Sequence, residues 1–262
     1  MKPDAARIDE VRPSPNHTER RVADGPDMLI LHYTGMGSGE GAVRWLCDPQ
    51  SGVSCHYLVH EDGRVVQMVP EALRAWHAGV GNWRGRDDIN SRSIGIEIVN
   101  VGHDNGYPDF PAAQIEAVVE LCRDCVGRWP IRSEFVLAHS DIAPARKSDP
   151  GEKFRWDQLF LAGIGHFVPP TPLRGGRFFG RGDHGEPVAA YQSLLAAYGY
   201  EVSTDGVFEQ TTRLATIAFQ RHFRPERVDG IADFSTIDTL HRLLTALPRS
   251  PFDHDESSAG TV

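Results

Sequence analysis

Residues 28–34 read MLILHYT, an apolar run that ends on a histidine and two further polar side chains. Such a run reads as a strand that enters the core and delivers an imidazole at its end, beside polar loop residues. Four more stretches have the same texture: SCHYLVH (54–60), RVVQMV (64–69), SIGIEIV (93–99) and FVLAHS (135–140). The runs 54–60 and 64–69 are joined at Glu61, Asp62 and Gly63, a hairpin turn signal. Between the strands, helices are expected over 40–47, 111–129 and 156–164. Strands alternating with helices predict an α/β fold, a mixed central β-sheet flanked by helices.

Further along, VPPTPLRGGRFFGRG (168–182) has the prolines and glycines of a linker. Beyond it, 183–248 carries three amphipathic helical stripes and a short internal repeat. DGVFEQTT (205–212) and DGIADFST (229–236) match as Asp-Gly-aliphatic turns followed by hydroxyl residues able to cap the next helix. The expected organisation is a polar N-terminal tail (1–11), a sheet domain (12–167), the linker (168–182), a small three-helix domain (183–248) and an acidic C-terminal tail (249–262).

Composition narrows the chemistry. The chain has 262 residues, with 27 Lys and Arg against 36 Asp and Glu, a formal net charge of −9. That balance argues against nucleic acid and against an anionic membrane surface as partners. No run approaches the ~20 apolar residues of a membrane span. Twelve histidines stand beside four cysteines, which allows a metal site of imidazole and carboxylate but not a cysteine-rich zinc fold or a disulfide scaffold. Cys47 and Cys55 stand apart, whereas Cys122 and Cys125 form a C-x-x-C that could be a redox pair. The helical period over 111–129 instead sets both thiols on an apolar stripe with Ile115, Val118, Val119, Val126 and Trp129, where they would act as small hydrophobes.

The residues that could carry chemistry sit at strand ends. His32 follows MLIL, His139 follows FVLA, and the loop after His139 holds Lys147 and Asp149. Two histidines and a carboxylate are a catalytic zinc ligand set that leaves a fourth position open. Glu97 lies within SIGIEIV on the face opposite Ile94, Ile96 and Ile98. A carboxylate there is costly unless that face opens to a cleft. It could be a salt-bridged sheet residue or a general base. Trp76, His77 and Trp83 could form an aromatic ligand wall or simply be core, and His56 reads as structural.

At this point five motifs become specific: LHYTGM (31–36), SCHYLVHEDGRVVQMV (54–69), RAWHAG (74–79), NSRSIGIEIVN (90–100) and AHSDIAPARKSDPG (138–151). Together they resemble the zinc-dependent N-acetylmuramoyl-L-alanine amidases of the second amidase type. These AmpD- and AmiD-like enzymes share a fold with T7 lysozyme and the peptidoglycan-recognition proteins. AYQSLLAAYGY (190–200), DGVFEQTTRLATIAFQ (205–220) and VDGIADFSTIDTL (228–240) resemble the three-helix peptidoglycan-binding domain attached to cell-wall hydrolases.

The resemblance implies that His32, His139 and Asp149 hold Zn2+ and that Glu97 and Lys147 are the catalytic partners. It implies hydrolysis of the amide between N-acetylmuramic acid, or its 1,6-anhydro form, and L-alanine, with peptidoglycan or muropeptide fragments as partners. Trp76, His77, Trp83 and Asn100 are expected to form the substrate groove. Cys55 stands where T7-type relatives carry a tyrosine, so a tyrosine-assisted step does not carry over and Glu97 takes more of the proton work. A non-catalytic muropeptide-binding protein is the alternative, although all five implied positions keep the family's residue types. The first thirty residues mix charge signs without a signal-peptide core, as expected of a cytoplasmic chain. The polymer-binding resemblance points instead to the periplasm.

Overall fold

The computed structural model describes residues 1–176 and 178–248; the acidic tail expected over 249–262 lies outside the described residues. Its centre is a six-stranded sheet in the order β1-β5-β4-β7-β3-β8. The strands are β1 (Glu10–Val11), β3 (Met28–Tyr33), β4 (Tyr57–Val59), β5 (Val65–Gln67), β7 (Ser93–Ile98) and β8 (Val136–Ala138). A separate antiparallel pair joins β2 (His17–Glu19) to β6 (Leu73–Ala75). β4 and β5 form the expected antiparallel hairpin, whereas the β1–β5, β4–β7, β7–β3 and β3–β8 pairs are parallel. The sheet is therefore mixed.

A parallel strand needs cover on both faces, and β3 shows how this chain provides it. Leu29 and Leu31 point to one side. There they join Ile94, Ile96 and Ile98 of β7 beneath helix α3 (Ala112–Arg128), which contributes Ile115, Val118, Leu121, Cys122 and Cys125. Both thiols are fully buried and unpaired, and burial raises them above the usual thiol range. They are inert parts of the core. On the other side of the sheet, α1 (Gly39–Cys47) covers Leu58 and Val66 through Ala42, Val43 and Leu46. Met28, Ile30 and Leu137, still on that second side, share an apolar core with Trp83, Ile89, Ile142 and the C-terminal helices.

Those helices are α6 (Glu186–Tyr198), α7 (Gln210–Phe223) and α8 (Phe234–Thr245). Their repeat is visible in two buried glutamines. Gln192 donates to Asp205, the Val207 carbonyl and Thr212, and accepts from Gly206 N–H. Gln220 does the same with Asp229, the Ile231 carbonyl, Thr236 and Gly230 N–H. The hydroxyls thus serve the glutamines, and the cap of α8 is Asp233, which accepts from Thr236 N–H.

Three expectations change on contact with the structure. The N-terminal segment is no free tail: β1 pairs with β5, Ala5 is buried, and Asp4 accepts from Glu71 N–H. Its polar side chains have partners across the sheet edge that a linear reading does not reveal. Within the expected linker, Thr171 N–H donates to Thr239 and Arg242 donates to the Pro169 carbonyl from α8, and Phe179 pairs with Ala232 just before that helix. The helical unit is also not a bead on a string, because it shares one apolar core with the sheet.

That shared core has a polar pin. Asp141 lies in α4 (His139–Ile142) and is 1% exposed. It accepts from Ala138 N–H and Tyr200 O–H at 2.8 and 2.7 Å, and its Oδ2 lies 2.6 Å from His222 Nδ1. Trp83 packs edge-on to Tyr198 and Tyr200, and Gly199 lies so close that a Cβ there would meet the indole at 2.6 Å. Replacing Tyr200 by Phe leaves a buried carboxylate oxygen short of a donor. We expect a loss of about 1–3 kcal/mol, read as a lowered midpoint in urea denaturation of the full chain.

Candidate active site

The carboxyl ends of adjacent parallel strands are where open α/β sheets place their ligands. Here β3 ends near His32, β7 near Glu97, and β8 leads directly into His139 at the start of α4. His32 and Glu97 are register partners across the β3–β7 pair, so they share the sheet face opposite α3. The strand expected over 135–140 stops at Ala138. The chain turns into α4 there because Asp141 captures the Ala138 N–H. Asp149 is brought back by its own carbonyl, which accepts from Ser140 N–H at 3.0 Å.

The three expected ligands meet. His32 Nδ1 lies 2.8 Å from His139 Nδ1 and 3.1 Å from Asp149 Oδ2, and His139 Nδ1 lies 3.0 Å from the same oxygen. All three residues are buried. The far nitrogen of His139 faces the Ala78 carbonyl at 2.9 Å, and a carbonyl can only accept. Neutral His139 therefore carries its proton on Nε2 and presents a lone pair at Nδ1. Burial, then the neighbouring His139, lowers His32 to about 4, which keeps it neutral at pH 7. An ionised carboxylate and two imidazole lone pairs converging on one point suit a divalent cation.

Beside this cluster opens a cleft of about 410 Å³, lined among others by Trp45, Trp76, Glu97, Arg146, Lys147 and Asp149. Glu97 Oε2 is buried without a hydrogen-bond partner. Burial, with the Asp149 charge adding to it, raises Glu97 well above the usual carboxylate range, while Lys147 opposes the shift. The salt-bridged sheet residue is thus the poorer description: Glu97 is a largely desolvated carboxyl facing a cleft. Cys55 is fully buried against Glu97, and burial raises its thiol well above the usual range, so it adds no nucleophile.

The expected substrate residues separate. Trp76 lines the cleft. His77 reaches it too, but its ring is engaged from behind: Nδ1 lies 2.9 Å from His32 Nε2, and Nε2 lies 3.1 Å from Ser93 Oγ. Trp83 is fully buried, with its indole N–H donating to the Glu134 carbonyl, because the helical unit closes over it. Asn100 is 5% exposed and spends its amide on the Pro108 carbonyl and Gly102 N–H, holding the loop after β7. Neither belongs to the cleft wall. His56 is structural as expected, with Gly95 N–H donating to its Nδ1.

Trp45 and Arg146 are cleft residues that the linear reading passed over. Trp45 is 48% exposed on a helix whose other face is apolar, a signal that was available. Arg146 donates to the Ala78 and Val80 carbonyls, contacts set only by tertiary packing.

If the three donors form one cation site, removing the charged one should empty it. Asp149→Ala is expected to lower bound metal from one equivalent to a small fraction, measured by elemental analysis after dialysis, with the fold checked by circular dichroism.

The comparisons agree with this geometry. Residues 22–152 match the N-acetylmuramoyl-L-alanine amidase family, and 184–240 match a peptidoglycan binding domain. The N-acetylmuramoyl-L-alanine amidase AmiD of Escherichia coli is 40% identical over 231 residues, covering 83% of this chain and 82% of AmiD. The 1,6-anhydro-N-acetylmuramyl-L-alanine amidase AmpD of Enterobacter cloacae is 36% identical over 164 residues, 56% of this chain and 86% of AmpD. A solved complex of E. coli AmiD with anhydro-N-acetylmuramic acid-L-Ala-D-gamma-Glu-L-Lys superposes with a TM-score of 0.72 at 36% identity. The match covers 88% of this chain and 97% of the chain in that structure. A sheet that brings two imidazoles, a carboxylate and a desolvated glutamate to one edge, in a chain so matched, belongs to the N-acetylmuramoyl-L-alanine amidase family.

Proposed function

We propose that the chain hydrolyses the amide bond between N-acetylmuramic acid, in its ordinary or 1,6-anhydro form, and the L-alanine of peptidoglycan stem peptides. The observation that carries this reading is the pairing of a three-donor cation site with a half-buried carboxyl, whose Oε2 is buried without a partner, in one cleft. AmiD, solved with an anhydro-muramyl peptide, supports the substrate class. The metal we assign is zinc, held by His32, His139 and Asp149, because tetrahedral imidazole–carboxylate sets are its common catalytic environment. When bound, zinc supplies Lewis-acid polarisation of the scissile carbonyl and lowers the pKa of the attacking water.

The chain's own groups supply the proton traffic. Glu97, as carboxylate, takes a proton from water as the water oxygen bonds to the lactyl carbonyl carbon. Burial raises its affinity for that proton, which suits it to hold the proton until the leaving nitrogen takes it. As the tetrahedral species collapses, the C–N bond breaks and Glu97 passes the proton to the L-alanine nitrogen. Lys147, across the same cleft, offsets the negative charge on the carbonyl oxygen. Trp76 and Trp45 offer apolar surface to the substrate, and the helical unit supplies affinity for the polymer. No helix among the described residues is long and apolar enough to cross a membrane.

Mass spectrometry of muropeptides and of intact wall incubated with the enzyme should detect free L-alanyl peptides, lost after chelation and restored by zinc. Binding without cleavage would instead favour a recognition protein. Glu97→Gln should keep the metal while kcat falls about 10²–10⁴-fold. Lys147→Ala should cost about 10²–10³-fold, again with metal retained. Undiminished turnover in either variant would remove that residue from the mechanism.

A further inference from the structure

One short loop touches the far side of both metal histidines. His77 and Ala78 follow β6, and their backbone N–H groups both donate to Asn90 Oδ1, at 3.0 and 2.8 Å. Asn90 belongs to the α2 turn (Ile89–Arg92), which Arg20 grips by donating to the Ser91 and Ser93 carbonyls at 2.9 and 3.0 Å. From this fixed loop the Ala78 carbonyl orients His139. The other half of the arrangement is a chain of three side chains whose proton positions can be worked out.

The chain starts at a group with no choice. The Ile89 carbonyl can only accept, so Ser93 O–H donates to it, at 2.6 Å. The Ser93 oxygen is then free to accept from His77 Nε2–H, at 3.1 Å. Neutral His77 with its proton on Nε2 has a bare lone pair on Nδ1, which accepts from His32 Nε2–H at 2.9 Å. His32 in turn is left with its lone pair on Nδ1, the atom that faces His139 and Asp149. Reversing any one proton in the series puts a hydrogen on His32 Nδ1, where the cation must sit.

The sheet is built to seat this ring. Ser93, Gly95 and Glu97 alternate along one face of β7, and a Cβ at Gly95 would lie 2.4 Å from His77 Cγ and 2.5 Å from its Nδ1. The missing side chain in that row is the space the imidazole occupies. A wall residue for substrate would need no such cradle behind it.

We propose that His77 is a positioning residue of the metal centre: through Ser93–His77–His32 it sets the tautomer and ring orientation of His32 before the cation arrives. It acts through His32 and touches no reacting atom. The inference rests on the zinc reading above and concerns how that site is preorganised.

The test uses the full chain and zinc. Affinity is measured by competition with a fluorescent chelator for the wild type, His77→Leu and His77→Asn, with folding checked by thermal melting. Removing such an outer hydrogen bond typically weakens metal binding about 10–100-fold, and that loss is expected for His77→Leu. Asparagine carries an amide oxygen near the place of imidazole Nδ1, so His77→Asn should recover most of the affinity. In the metal-free wild type, long-range ¹⁵N–¹H spectra should show His32 protonated on Nε2. Wild-type affinity in His77→Leu, an equal loss in both variants, or His32 protonated on Nδ1 would overturn the inference. Failure of the wild type itself to bind zinc would overturn the metal reading on which it stands.

Discussion

The structure is organised by a strand that has no solvent side. β3 is buried along nearly its whole length, between α3 beneath one face and the α1 and C-terminal helices above the other. A polar side chain within such a strand must be satisfied or lie at a gap in the cover. The gap falls between α1 and the loop carrying Lys147 and Asp149, and His32 stands under it. Its neighbours at the same level of the sheet are Glu97 on β7 and His139 just past β8. The possible cation donors, the Glu97 carboxyl and the cleft all lie where that cover is interrupted.

Covering the second face takes two different structures. α1 is local, following β3 after a short turn capped by Ser38, which accepts from Gly41 N–H. The other cover comes from more than 150 residues away in sequence, and the contact is specific as well as apolar. Asp141 receives Tyr200 and His222 from the helical unit while capping the turn that carries His139. A unit matched to polymer binding is thereby a wall of the catalytic core, and the cleft keeps a set orientation relative to it.

Electrostatics in the cleft are set mainly by desolvation. The same burial lowers His32 and raises Glu97, because each loses water around its charged form. The result is two carboxyls of different environment lining one cleft, Asp149 beside the histidines and Glu97 on the sheet. Two acids of similar intrinsic strength take different roles because their partners differ.

Much of the site was legible from residue order. Apolar runs ending in His32 and His139 marked strand ends, alternation put Glu97 opposite the isoleucines, and the helical period buried Cys122 and Cys125. These are local properties, fixed by the two-residue and 3.6-residue periods of the backbone. What the linear pattern could not reveal is which distant surface meets which. Trp83 and Asn100 read as groove residues, yet one is sealed by Tyr198 and Tyr200 and the other holds a loop. His77 read as a ligand wall, and only the absent side chain of Gly95 and the position of His32 make it a link behind the metal site. The N-terminal segment and the expected linker looked free because their partners lie across the fold. The sequence by itself determined the five apolar strands, their buried faces and the residues able to bind a metal, since those depend on near neighbours, but not the short strands β1, β2 and β6. Tertiary structure alone decided which nitrogen each histidine presents and what closes the second face of the sheet, since both depend on hydrogen bonds and apolar contacts between segments far apart in the chain.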